Sequence, residues 1–138
     1  MAETFLTATY FANGQSDKGQ NQIQHLQREI DQSLHIPISD KYFVQAVILR
    51  LTHDKTGARK LLAKLLRDEN EADKKGRRKT NIILYIILED FDSAFKLIGK
   101  LIETRDWSIL DLKANYFLKE LRTDSRYPAM LKKIGLEP

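Results

Sequence analysis

Three observations predict an all-α fold for this chain of 138 residues. Apolar residues recur at helical spacing along most of its length. The breaks between these stretches are short and carry Gly, Pro, Ser or Asp. A pattern of turn, small residue and bulky residue returns at offsets of 39 and 36 residues, from Gly19 to Ala58 to Ala94. Helical units that repeat at this length point to a short α-solenoid. The expectation is about three degenerate helix–turn–helix repeats with C-terminal capping helices.

Residues 3–13 form a short amphipathic segment containing Phe5, Leu6, Ala8, Tyr10, Phe11 and Ala12, broken by Asn13-Gly14. Ser16 offers an N-cap, since its hydroxyl can accept from a free N–H of the next first turn. A polar helix then runs to about Leu34, with a stripe at Ile23, Leu26, Ile30 and Leu34. Pro37 cannot continue a helix, so residues 35–38 are a connection. Ser39 or Asp40 would cap the next helix, which is apolar on more than one side through Tyr42, Phe43, Val44, Val47, Ile48 and Leu51. After His53-Asp54, residues 56–67 put Leu61, Leu62, Leu65 and Leu66 inside.

Residues 68–79, DENEADKKGRRK, read as a charged loop. The run from Ile82 to Leu88 is rich in strand-favouring isoleucine. A lone strand would have nothing to pair with, so helix is the expectation. Residues 90–92 turn the chain and cap a helix over 93–104. Asp106 or Ser108 would start the next, reaching Leu121 through Ile109, Leu110, Leu112, Phe117 and Leu118. Asp124 or Ser125 would start the last, with Pro128 in its first turn and Gly135 as its stop.

The repeat has a packing logic. Gly19, Ala58 and Ala94 each stand one turn into a second helix. Ile23, Leu62 and Ile98 follow four residues later, and Tyr10, Leu49 and Tyr85 precede by nine. A small side chain lets two helices approach, and the bulky one fills the groove beside it. The boundaries expected are about 2–35, 39–68 and 76–104, with a cap over 106–136, all in one domain spanning 1–138.

Composition narrows the function. With no cysteine, a disulfide scaffold, a thiol nucleophile and a cysteine-bound metal are excluded. The N-terminus lacks a basic start, and the longest apolar run is far short of a membrane span. A cytoplasmic protein without membrane contact is expected. The net charge of +4 is uneven: residues 41–80 hold twelve basic and five acidic side chains. The basic cluster is Lys74, Lys75, Arg77, Arg78 and Lys79. It could meet phosphates or an acidic partner. No aromatic residue is interleaved with it to stack on bases, so nucleic acid is the less favoured partner. Gly76-Arg77-Arg78-Lys79-Thr80 lacks the upstream glycine of a phosphate-binding P-loop. His25, His35 and His53 are too scattered for a helical metal pair. Glu89, Asp90 and Asp92 are explained by helix capping. No catalytic residue, metal or cofactor is expected, and the chain is not read as an enzyme.

The third unit resembles a tetratricopeptide repeat in Tyr85, Glu89-Asp90-Phe91-Asp92, Ala94, Ile98 and Leu101. The first two are degenerate: Gly19 replaces the usual alanine, Lys55 the usual turn aromatic, and neither has the closing proline. The tail, Asp106 to Lys113 and Leu121 to Leu136, is similar to the closing segment of tetratricopeptide domains in bacterial signalling proteins, although Ser125 replaces the usual proline. This resemblance implies a binding role. It places Thr4, Ala8, Phe11, Phe43, Val47, Arg50, Lys79, Ile83, Ile86 and Ile87 along a concave groove for a protein or peptide, or for a second copy of the chain as a homodimer. The alternative covering is the chain's own 107–121 helix folding back. The same resemblance offers, as runner-up, a regulatory or sensor domain that meets nucleic acid or an acidic partner through residues 74–79. A first repeat that begins at residue 2 suggests a fragment of a longer protein or a dimer contact at that end.

Overall fold

The computed structural model describes residues 2–68, 71–106 and 115–136. Their regular structure is entirely helical: α1 (Ala2–Ala12), α2 (Ser16–Gln32), α3 (Ile38–Leu51), α4 (Lys55–Arg67), α5 (Glu71–Ile87), α6 (Phe91–Glu103), a 3-10 helix (Tyr116–Thr123) and α7 (Tyr127–Lys133). Consecutive helices pack as pairs, α1 on α2, α3 on α4 and α5 on α6. The first members also touch one another, α1 against α3 and, most extensively, α3 against α5.

The turns within the pairs share one backbone circuit. After α1, the N–H groups of Gly14 and Gln15 donate to the carbonyls of Phe11 and Tyr10. After α3, His53 and Asp54 donate to Arg50 and Leu49. After α5, Glu89 and Asp90 donate to Ile86 and Tyr85. Gly14, His53 and Glu89 take φ values of 70°, 55° and 60°. A left-handed residue that folds the next N–H back onto the last turn is the Schellman closure, which satisfies carbonyls the helix leaves open. Its long-range acceptors are Tyr10, Leu49 and Tyr85, the apolar positions that the repeat pattern singles out. Asp54 and Asp90 then cap the following helices, accepting from the N–H groups of Gly57 at 2.8 Å and Ser93 at 3.1 Å.

Burial follows the same register. Gly19, Ala58 and Ala94 are buried, as are Ile23, Leu62 and Ile98. At Gly19 an added Cβ would stand 2.6 Å from the Phe11 ring, so any larger residue there would have to displace that ring from its seat on α2.

Several expectations are corrected. Ser16 is the first residue of α2, and Gln15 ahead of it makes no side-chain cap bond. Helix α3 starts at Ile38, before Ser39 and Asp40, because the Pro37 carbonyl already accepts from the N–H groups of Asp40 and Lys41. Leu34 does not extend the α2 stripe. The helix ends at Gln32, Ser33 is extended, and Leu34 is left 92% exposed. Leu66 is also exposed, since one residue past buried Leu65 lies about 100° around the helix. Most of the expected loop over 68–79 is helix, because α5 begins at Glu71. A single glycine such as Gly76 costs a helix only about 1 kcal/mol, which packing of the rest outweighs.

Helix α5 is the centre of the molecule. It touches α3, α4, α6 and the 3-10 helix. Ile82, Ile83, Leu84, Ile86 and Ile87 are all buried, and a helix apolar on every side needs such surroundings. Burial therefore overrides the strand preference of its isoleucines.

Trp107 and Ser108, with the rest of residues 107–114, lie outside the described residues. The continuous helix expected up to Leu121 is not formed. Asn115 is extended (ψ 117°), and its side chain accepts from the N–H of Phe117 at 2.9 Å to open the 3-10 helix. Helix α7 starts at Tyr127, a little beyond Asp124 and Ser125, with Pro128 in its first turn. Gly135, at φ 72°, closes it as expected.

Arg126 ties this end to α6. Its guanidinium meets Asp92 at 2.7 Å and Asp124 at 2.9 Å, and lies 4.3 Å from the centre of the Phe95 ring. The Arg126 side chain, followed by its backbone N–H, pulls the Asp124 carboxyl down to about 2. A carboxyl depressed in the folded state contributes stability above the ordinary carboxylate pKa and loses it as pH falls through the folded value. Asp124→Asn should therefore lower the urea midpoint at pH 6. The difference from the unaltered protein should shrink between about pH 4 and pH 2. A difference that stays constant over that window would refute the linkage.

Candidate functional site

The predicted groove is found largely filled by the chain itself. Val47 and Ile83 are 0% exposed, and Ile86 and Ile87 are nearly so. The 3-10 helix lies on α5, with Phe117, Leu118 and Leu121 buried. The Phe117 ring stands edge-on to Phe43 at 6.4 Å and tilted against Phe5 at 5.7 Å. Arg50 forms an ion pair with Glu120 of the same segment. Phe11 turns toward Gly19 on α2. Thr4 and Ala8, also expected along the groove, are buried.

The basic cluster does not form one open patch. Lys74 is exposed, but Arg77 is buried. Its guanidinium sits 5.8 Å from the centre of the Tyr42 ring, which also takes the Lys64 ammonium at 5.3 Å. Arg77 also donates to the Asp68 carbonyl at 3.2 Å. Arg78 is paired with Asp106 at 3.6 Å. Lys79 turns instead into a cleft near the start of α3. The side chain of Lys75 is outside the described residues.

That cleft is one of several openings among the described residues, and it has the most extensive apolar lining. It encloses about 620 Å³ between α1, α2, the 33–37 connection and α3. Leu26, Ile30, Ile36, Phe43 and Val44 make its apolar walls. Glu3, Glu29 and Asp40 bring carboxylates to it, against Lys79 and His35. The connection is held in place: the Lys41 ammonium donates to the Ser33 carbonyl at 2.6 Å. Leu34 and Ile38, neighbours of lining residues in the chain, are exposed.

No family model, curated protein or solved structure matches the chain. Of the ten residues expected to line a groove, Thr4, Phe43 and Lys79 reach this cleft. The sequence pattern did not single out Ile36, Val44 or Asp40 as lining, because they converge only once the connection after α2 folds back on α3.

One cluster of possible metal ligands stands beside the cleft. Glu3 on α1 and His25 and Glu29 on α2 bring three donor atoms within 4.8 Å of one another. The expectation of no metal pair compared only histidines with one another. His25 and Glu29 stand four residues apart on α2. Among the described residues, no helix is long and apolar enough to cross a membrane.

Proposed function

We propose that the chain is a non-catalytic, tetratricopeptide-like interaction module that takes a segment of a protein or peptide in the α1–α2–α3 cleft. One observation carries this reading: an open apolar cleft persists beside exposed Leu34 and Ile38 while the neighbouring groove is filled. Exposed apolar surface of this kind commonly marks interaction sites. Three carboxylates facing one lysine favour an occupant with apolar side chains and a lysine or arginine. A cysteine-free chain suits a cytoplasmic setting for such a partner.

The test is an NMR titration with short leucine- and lysine-containing peptides. Perturbed amides should cluster at Ile36, Val44 and Leu26, and Ile36→Asp should abolish them. Binding should weaken when the peptide lysines become glutamates. Perturbations centred elsewhere, or unchanged by Ile36→Asp, would refute this cleft. Light scattering on the unaltered chain adds a second arm. A dimer that Ile36→Asp dissociates would identify a second copy as the occupant.

A further inference from the structure

We infer that Glu3, His25 and Glu29 form a site for a divalent transition metal, of which zinc is the best match. The site does not require peptide binding in the cleft; with the ion bound, Glu3 and Glu29 are neutralised and Asp40 is left as the cleft carboxylate for a cationic side chain. His25 and Glu29 are one turn apart on α2, so their side chains rise from the same face. Glu3 comes from the neighbouring helix α1. The His25 Nδ1 lies 3.7 Å from a Glu3 carboxylate oxygen, and donor atoms of all three residues fall within 4.8 Å of one another.

Donors around one tetrahedral ion with bonds of 2.0–2.1 Å are separated by about 3.4 Å. The His25–Glu3 pair, at 3.7 Å, is close to that, and the remaining donor pairs, within 4.8 Å, come into range by rotation of their solvent-facing side chains. The backbones need not move. Helices α1 and α2 are fixed on each other by the close approach at Gly19 and by buried Thr4, Ala8, Ile23 and Leu26.

The donor chemistry narrows the ion. One imidazole nitrogen and two carboxylates neutralise a doubly charged cation. A mixed nitrogen–oxygen set suits zinc, cobalt or manganese. Calcium needs six to eight oxygens, which these side chains do not supply. Glu3 and Glu29 also line the cleft, so the open coordination position can face it. That position would take a water or an anionic oxygen donor, as in zinc sites with three protein ligands. The ion would pin α1 to α2 at the end of the pair remote from the Asn13–Gln15 turn.

The test is titration of the untagged full chain with Zn²⁺ by calorimetry, and with Co²⁺ by visible absorption. The expected result is saturation at one ion per chain, with a Co²⁺ spectrum of low coordination number. His25→Ala, Glu29→Gln and Glu3→Gln should each weaken binding at least about tenfold. Circular dichroism should stay unchanged, because the three side chains are solvent-facing. His53→Ala should leave the affinity as it was. No saturable binding would overturn the site. So would binding that survives His25→Ala and Glu29→Gln, or binding removed by His35→Ala instead.

Discussion

Replacing Phe117 with alanine should destabilise the protein by about 3–5 kcal/mol. The side chain is 0% exposed and sits among the rings of Phe5, Phe43 and Tyr116. Its removal takes away a large apolar burial and leaves a void that helical neighbours on three elements cannot easily close. It also weakens the hold of the 3-10 helix on α5. Urea unfolding should therefore show a lower midpoint, and an environment-sensitive dye should bind more strongly before the transition begins. Phe117→Leu keeps most of the volume and should cost less than about 1.5 kcal/mol. A loss below about 1 kcal/mol for Phe117→Ala would mean that the segment is not seated on the α3–α5 face.

The second large effect is expected at Ile83. This residue is 0% exposed, on the helix that four other elements touch. Ile83→Ala should cost about 2–5 kcal/mol, the range for truncating a large aliphatic side chain in a packed core. Leu34→Ala is the contrast. Leu34 is equally apolar but 92% exposed, and its truncation should change stability by no more than about 0.5 kcal/mol. Urea midpoints of the two variants, measured without any partner present, separate an internally filled groove from an open one. An Ile83→Ala variant as stable as the unaltered chain would place Ile83 on an accessible surface. Since small domains have total stabilities of about 5–15 kcal/mol, either core variant consumes a large fraction.

What the sequence reveals here is local. The turns at Gly14, His53 and Glu89, the small positions Gly19, Ala58 and Ala94, and the stop at Gly135 all depend on neighbours within about ten residues. Periodicity and backbone sterics report such features directly. The features it hides are set from afar. Charge made residues 68–79 resemble a solvated loop, yet Arg77 lies against Tyr42 from another helix pair. Arg50 finds Glu120 across 70 positions of chain. Glu3 meets His25 only because α1 and α2 fold against each other. The cleft likewise depends on where α2 ends. Nothing in the spacing of Ile23, Leu26, Ile30 and Leu34 announces that the helix stops two residues before the last of them.

Helix pairs held only by their neighbours in sequence have loose ends. The contact of Phe117 with both Phe5 and Phe43 changes that connectivity. The first helix and the 3-10 helix, more than a hundred residues later, share one ring cluster, so α1 cannot fray without disturbing the seat of Phe117. The consequence is kinetic as well as thermodynamic. Contacts of this sequence separation raise the contact order of the fold, which slows its folding relative to an array of purely local helix pairs. The protein should then unfold as one cooperative unit rather than unit by unit from an end.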